Sequence, residues 1–322
     1  MRVLAFAFML IGWCSSALQA QPASRPIALV VPFSAGSDAD LAARNLAQHA
    51  PRYLGGQSII VVNQPGASGA IGSQAVRNAA PDGQTLLLAR IASHVILPAI
   101  ERKTPYRWSD FTQLALLEIN PYVCAVRRDA PHGSIKALMD DVRARPGTLN
   151  FATVGAGTLQ NFGPQYLFSL LGLPRDAAVG IPYKGSGELT SALLAGQVDF
   201  ACSNLGALLG QLRSGALRAL MTTTREPLKE LPDVPTAASL GWPQMESLAA
   251  WSALAGPPGL PLEIVQRWSD AMAQLARDPG WLAGNEKLGG IPAVRGPAET
   301  EHFMRAQAEL YERLSERLGL VQ

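Results

Sequence analysis

The stretch at residues 27–50 constrains the fold more than any other part of the chain. An apolar run at 27–31 predicts a strand, small residues at 34–37 predict a loop, and a helix opens near Asp38 or Asp40. Such a junction leaves backbone N–H groups unpaired at the positive end of the helix dipole, where they can bind an anion. The same pattern also fits a tight turn in which one aspartate only caps the helix.

The alternation of apolar strands with helices recurs along the chain and predicts an α/β fold. Further strands are expected at 58–63, 85–89, 122–126, 149–153, 180–183, 198–202, 216–222 and 251–254. Helices are expected at 39–50, 134–144, 161–171, 188–195, 261–277 and 299–318, and a short helix is expected to end at Ala80. Strands that are apolar throughout favour mostly parallel sheets with helices on both faces.

The proline-rich stretch at 226–243 predicts a connection between two lobes. We therefore expect lobe 1 to contain residues 21–120 and 226–322, and lobe 2 to contain residues 121–225. In such folds a ligand lies beyond the carboxyl ends of the strands, so the cleft between the lobes is the expected binding site.

Residues 1–20 have the order of a secretory signal peptide. Arg2 precedes an apolar run at 3–13, and a series of small residues ends at Ala20. We expect cleavage after Ala20 or, alternatively, after Ala17, which gives a periplasmic mature protein. No later segment reaches the roughly 18 uninterrupted apolar residues of a membrane span.

Charge and composition exclude several classes of partner. The net charge of +2 is scattered without a basic stripe, which argues against nucleic acid and anionic membranes. A hydrophobic content of 48% with 16% charged residues is typical of a globular protein with a large core.

Cys124 and Cys202 lie in apolar, strand-like runs, and the sequence leaves open whether they form a disulfide or remain buried thiols.

Signatures of catalysis are missing from the sequence. It contains no G-x-S-x-G, no Walker loop and no C-x-x-C, and its four histidines lie far apart. We therefore expect no enzyme activity, no cofactor and no metal.

A loop of small residues before a helix recurs along the chain, at 34–38, 66–72, 155–158 and 185–187. Two such loops in each lobe would bind a small anion between them through backbone N–H groups.

Several segments resemble the Bug-type receptors of tripartite tricarboxylate transporters. They include PIALVVPFSAGSDADLAAR, VVNQPGASGAIGSQAV, IPYKGSGELTSALLAGQVDF and LPDVPTAASLGWP, and the likeness covers nearly the whole mature chain in the family's order. The resemblance implies a periplasmic binding protein with two hinged lobes, of the Venus flytrap type II class. It also implies that loop N–H groups and ordered waters hold the ligand carboxylate.

The function that this resemblance implies is capture of a small carboxylated ligand, such as a di- or tricarboxylate or an acidic amino acid. The ligand would be delivered to a two-component membrane permease, and we expect the receptor to be a monomer. An alternative on the same fold is a sensory protein that presents its ligand to a membrane kinase.

Carried over by position, the resemblance places ligand-binding residues on both lobes. In lobe 1 they are Ser34, Ala35, Gly36, Ser37 and Asp40, where the family's counterpart of Asp40 orders the loop. In lobe 2 they are Gly155, Gly157, Thr158, Asn161, Tyr183, Gly185 and Ser186. The chain departs from the family at Ser37, where a second glycine is usual, and at Asn161, where histidine is frequent. Because serine lacks the freedom of glycine at positive φ, we expect Ser37 to change the loop backbone.

Arg90 ends the third predicted strand, at a position where the family generally has a small residue. Its guanidinium would lie in the cleft and bind a distal ligand carboxylate in a bidentate manner. The alternative is a salt bridge at the surface of the lobe.

Overall fold

The computed structural model describes residues 25–322. The predicted signal peptide at 1–20 lies outside the described residues. Within residues 25–322, no helix combines the length and the apolar character that crossing a membrane requires.

Strands and helices alternate along most of the described chain. The strands are β1 (Ile27–Val31), β2 (Ile59–Asn63), β3 (Thr85–Arg90), β4 (Thr112–Asn120), β5 (Tyr122–Arg127), β6 (Asn150–Thr153), β7 (Val179–Pro182), β8 (Phe200–Asn204), β9 (Leu217–Thr222), β10 (Ala250–Gly256) and β11 (Ile291–Arg295). The α-helices are α1 (Asp38–His49), α2 (Ala70–Arg77), α3 (Leu97–Ile100), α4 (Ile135–Ala144), α5 (Leu159–Leu170), α6 (Ser186–Leu194), α7 (Leu205–Arg213), α8 (Leu262–Leu275), α9 (Pro279–Lys287) and α10 (Pro297–Arg317).

These elements form two sheets, which we use to define the two lobes of the structure. Lobe 1 carries six strands in the order β11-β4-β10-β3-β1-β2, and lobe 2 carries five in the order β7-β6-β8-β5-β9. The chain passes from lobe 1 to lobe 2 between β4 and β5, and it returns between β9 and β10. This confirms the predicted two-lobed α/β fold.

The prediction of mostly parallel sheets is wrong, because both sheets are mixed. β1 is parallel to β2 and β3, but β10 runs antiparallel to β3 and β4. In lobe 2, β5 runs antiparallel to both of its neighbours. The antiparallel pairs involve the strands beside the crossings, where the chain leaves or re-enters a lobe, and an apolar pattern does not reveal strand direction.

Sequence periodicity missed several elements of the fold. Among those that it did not predict are α3, α7, α9 and β11. β11 contains Pro292 and is an edge strand with exposed residues, so it has neither a buried run nor clear alternation. α9 depends on its cap, because the Asp278 side chain accepts a hydrogen bond from the backbone N–H of Trp281.

The two lobes also share apolar contacts near the crossings. In lobe 2, α5 places Phe162 against Tyr311 of α10, with ring centroids 5.1 Å apart. Within lobe 2, the Tyr122 hydroxyl donates a hydrogen bond of 2.9 Å to the carbonyl of Leu159 and holds α5 on β5. The buried contact of Phe162 with Tyr311 therefore packs α5 of lobe 2 against lobe 1.

A disulfide joins Cys124 to Cys202 and settles the question that the sequence left open. The two cysteines lie directly opposite each other in the antiparallel pair of β5 and β8. Their side chains are buried in the core of lobe 2. The bond therefore links the first strand of lobe 2 to its central strand.

Replacing Cys124 and Cys202 together by alanine is expected to lower the free energy of unfolding by about 3 kcal/mol, because the unfolded chain loses a long covalent loop. The two residues are 78 positions apart in the sequence. Urea unfolding of the wild type and the double variant, each with and without reductant, measures the effect. Equal midpoints for the oxidised wild type and the variant would contradict it.

Candidate functional site

A small cavity lies between the lobes, at the carboxyl ends of the strands. Its volume is about 40 Å³, and its lining includes Arg90 from the end of β3 and Lys184 from lobe 2. A space of this size holds only a few water molecules, whereas pockets for small ligands have several hundred Å³. The lobes are therefore closed on the cavity, and this arrangement leaves no room for a larger ligand.

Four helices begin at this cavity, and the residue before the first turn of each lines it. These residues are Ser37 before α1, Thr158 before α5, Gly185 before α6 and Asn204 before α7. Helix N-termini present unpaired N–H groups and the positive end of the dipole. One helix comes from lobe 1 and three come from lobe 2, so closure surrounds the cavity with backbone donors.

The loop after β1 is shaped by Gly36 and Ser37. Gly36 has the positive φ of +78°, whereas Ser37 has a φ of −71° and a ψ of 163°. The Ser37 hydroxyl accepts a hydrogen bond of 3.3 Å from the backbone N–H of Asp40, which makes Ser37 the cap of α1. The positive φ of this loop thus falls on Gly36 and not on Ser37, and the expectation that Ser37 changes the loop backbone relative to the family stays a prediction.

Asp40 is buried beneath this loop and holds it in place. Its carboxylate accepts hydrogen bonds from the Gly36 N–H at 2.9 Å, from Arg44 Nε at 2.9 Å and from Asn63 Nδ2 at 3.0 Å. Burial alone would raise the pKa of Asp40, but the hydrogen bonds from Arg44, Gly36 and Asn63 outweigh it and lower the pKa below its ordinary value. Asp40 therefore positions the loop and does not line the cavity.

Arg90 lies in the cleft and is 4% exposed. Its Nη2 donates a hydrogen bond to Asp38 Oδ2 at 2.5 Å, and its Nη1 donates to the Ser252 hydroxyl at 2.5 Å. Nη1 also lies 3.7 Å from Oε1 of Glu118, which accepts a hydrogen bond from Ser252. The guanidinium thus lies in the cleft as expected, but its partners here are carboxylates of the chain itself.

Asp38 connects the two lobes. Besides the contact with Arg90, its Oδ2 accepts a hydrogen bond of 2.6 Å from Asn204 Nδ2, and its Oδ1 accepts one of 3.3 Å from the Ser186 hydroxyl. Ser186 is the first residue of α6. A single carboxylate from lobe 1 is therefore bound by side chains at the starts of two helices of lobe 2.

Glycines in the loop after β6 permit close approach of the lobes. A Cβ on Gly157 would lie 2.8 Å from Cδ1 of Leu97 and 3.2 Å from Cβ of Ser68, both in lobe 1. Thr158 fixes this loop, since its hydroxyl donates a hydrogen bond of 2.7 Å to the carbonyl of Gly155. A side chain at position 157 would thus oppose the closed arrangement.

The structure brings part of the predicted site together at the cavity. The predicted residues that line it are Ser34, Ser37, Arg90, Thr158, Gly185 and Ser186. The others surround it. Ala35 and Gly36 are exposed on their loop, Gly155 and Gly157 face lobe 1, and Tyr183 lies at the mouth of the cleft. Asn161 uses its side-chain amide on the carbonyl of Ala156 in its own loop. Their role in ligand binding stays a prediction.

Among the cavity residues that sequence reasoning missed are Asp38 and Asn204, which are hydrogen-bonded to each other. The sequence pattern offers Asp38 as a cap of α1, a role that Ser37 performs, and gives no sign of its side-chain contacts across the cleft. Asn204 is a polar residue at the end of an apolar strand, and nothing local distinguishes it from an ordinary cap of α7. Their contact joins positions 166 residues apart, so only the folded chain reveals it.

The fold and the cavity define a two-lobed solute-binding protein. Residues 42–320 match the tripartite tricarboxylate transporter family receptor, and the chain belongs to this family of periplasmic solute-binding receptors, which are not enzymes. It is 32% identical over 288 residues to Protein BugT of Bordetella pertussis, a match that covers 87% of this chain and 85% of BugT.

Two solved structures are similar over almost their whole length. The periplasmic binding protein BugD is 28% identical with a TM-score of 0.85, covering 92% of this chain and 99% of BugD. MatC from Rhodopseudomonas palustris, solved with bound malate, is 29% identical with a TM-score of 0.84, covering 90% of this chain and 99% of MatC. The membership in the Bug-type family that the sequence predicted is thereby confirmed.

Asp40→Asn is expected to make stability less sensitive to acid. The pKa of Asp40 in the folded protein is lowered, so the charged form contributes stability above the pKa of the unfolded chain, and this is lost as the pH falls through the folded pKa. As the pH falls from about 5 into the acid range, the wild type should therefore lose more free energy of unfolding than the variant. Urea unfolding across this range measures the difference, with Asp233→Asn at an exposed position as the control. Identical pH profiles for wild type and Asp40→Asn would contradict this role.

Proposed function

We propose that the protein captures a small carboxylated ligand between its lobes outside the cytoplasm and delivers it to a two-component membrane permease. It would be exported by means of a cleaved signal peptide at residues 1–20 and would act as a monomer. The lobes would move about the two crossings, near residues 116–123 and 219–251, and the permease would recognise the closed form.

The observation that carries the proposal is the convergence of four helix starts on one cavity. Ser37, Thr158, Gly185 and Asn204 all precede a first helical turn and all line the cavity. Helix starts bind carboxylates and phosphates through N–H groups and the dipole together. Because the donors come from both lobes, an anion between them would stabilise the closed form more than the open form.

A related protein supports the same class of ligand. MatC, which shares the fold over most of its length, was solved with bound malate, a small dicarboxylate. A carboxylated ligand for this chain is consistent with that complex and with the donors around its own cavity.

Calorimetric titration with small carboxylates tests the proposal. We expect succinate, glutarate, adipate or their monoamides to bind, and the corresponding neutral diamides to bind at least about tenfold more weakly, since each hydrogen bond to a charged group contributes about 1.5 to 3 kcal/mol. If only the neutral diamides bind, the proposal that the cavity binds an anion is wrong.

Gly157→Val tests whether binding requires closure. A side chain at this position would contact Leu97 and Ser68 in the closed form, so we expect the dissociation constant of any ligand held by both lobes to rise about tenfold or more. Gly187→Val is the matched control, because a Cβ at Gly187 has nothing within 4 Å. An unchanged dissociation constant for Gly157→Val would show that ligand binding does not require the lobes to approach each other at position 157.

A further inference from the structure

We propose that Asp38 determines the ligand selectivity of the cavity, so that it accepts carboxylates whose second end is an ammonium or a primary amide in preference to dicarboxylates. This inference rests on the proposed function, because it names the substrate class of the same cavity. The contacts of Asp38, the charge of its surroundings and an unpaired oxygen beside it carry the argument.

The side-chain donors around Asp38 already bind its carboxylate. A ligand carboxylate placed beside Asp38 would need the same donors. Arg90 donates to it at 2.5 Å, Asn204 at 2.6 Å and Ser186 at 3.3 Å. The pair of Asp38 and Arg90 lies within lobe 1, so it persists when the lobes move apart. A ligand that approaches lobe 1 thus meets a guanidinium that is already neutralised.

The charges behind this pair also oppose a second carboxylate. Glu118 is 3% exposed, and its Oε1 lies 3.7 Å from Nη1 of Arg90. One guanidinium thus faces two carboxylates, and the three groups carry one formal negative charge. Lys184 also lines the cavity, but its side chain is exposed and therefore surrounded by solvent. A ligand carboxylate placed against Asp38 would be repelled at short range in a poorly hydrated space.

Asn204 adds an acceptor that needs a donor. Its Nδ2 donates to Asp38, which fixes the orientation of the amide because a carboxylate only accepts hydrogen bonds. The opposite atom, Oδ1, is buried and has no partner among the residues that the structure describes, and Asn204 lines the cavity at 5% exposure. A buried acceptor without a donor is costly, so a ligand N–H at this position would be favoured.

These contacts give the cavity two different ends. Asp38 and Asn204 Oδ1 form an accepting end, to which an ammonium offers three N–H donors and a primary amide two. The side-chain partners of Asp38 in lobe 2 lie at the starts of α6 and α7. The start of α5 at Thr158 and the loop at Ser34 also line the cavity, and we take their backbone N–H groups as the other end, which would receive the ligand carboxylate.

Titration with ligands matched in length tests the inference. The panel pairs succinate with succinamate and γ-aminobutyrate, glutarate with glutaramate and δ-aminovalerate, and adipate with adipamate and ε-aminocaproate. For the wild type we expect the tightest-binding amine or amide to bind at least about tenfold more tightly than its dicarboxylate partner. For Asp38→Asn, which keeps the size of the side chain, we expect this ratio to fall by about tenfold or more, with tighter binding of the dicarboxylate.

Two further variants keep the test decisive. Asp38→Ser removes the charge with a residue that is also favoured at a helix start, so it replaces Asp38→Asn if thermal unfolding shows that the asparagine variant does not fold. Asp233→Asn removes an exposed carboxylate elsewhere and should leave every ratio unchanged.

The outcomes separate the two proposals. If the wild type binds a dicarboxylate as tightly as its amine and amide partners, or if loss of the Asp38 charge changes all classes equally, the role of Asp38 is wrong while the proposed function stands. If neither wild type nor variant binds any compound with a carboxylate, the proposed function is wrong and the inference falls with it.

Discussion

The partly buried carboxylate of Asp38 is the interaction on which the closed arrangement of the lobes depends. Moving a charge out of water costs several kcal/mol unless it is paired and hydrogen-bonded. Arg90 supplies the opposite charge within lobe 1, whereas Ser186 and Asn204 donate only when lobe 2 lies against it. The requirements of this one side chain therefore fix how the starts of α6 and α7 meet the start of α1.

Asp38 and Asp40 show how helix geometry separates two residues of the same type. A helix turns by about 100° per residue, so side chains two positions apart point in nearly opposite directions. Asp38 accordingly contacts lobe 2, while Asp40 accepts hydrogen bonds from Gly36 and Asn63 within lobe 1. The first carboxylate belongs to the cleft and the second to the framework of the loop. The position of Asp38 depends on Asp40, because Asp40 holds the loop from which α1 begins.

The sequence predicted the local parts of this site well, because they depend on neighbours in the chain. The strand, the small-residue loop and the helix at residues 27–50 follow from apolar spacing and from the conformational freedom of Gly36. Whether Cys124 and Cys202 pair could not be decided locally, since it depends on β5 and β8 lying side by side. Strand direction was mispredicted for a related reason. A buried strand is apolar whether its neighbour is parallel or antiparallel.

The contacts of Asp38 were beyond sequence reasoning for the same physical reason. They join residues 52, 148 and 166 positions apart, which local patterns do not connect. Helix starts surround the cavity, but the loop at 66–72 is absent from its lining, and the start of α7 takes part without having been predicted. The carboxylate that two of these starts bind belongs to Asp38 of the chain itself. Helix dipoles attract any carboxylate, whether it belongs to a ligand or to the protein.

The charge of the cavity therefore differs from one end to the other, although the helix starts are alike. At α6 and α7 the positive ends of the helices are used to stabilise Asp38, and what remains there is a set of acceptors. At α5 the helix start retains its preference for an anion. A ligand with two unlike ends is then oriented in one direction, because reversing it would place a carboxylate against Asp38 and a donor against backbone N–H groups. Family membership fixes the fold and the location of the cavity, but selectivity follows from individual side chains such as Asp38 within it.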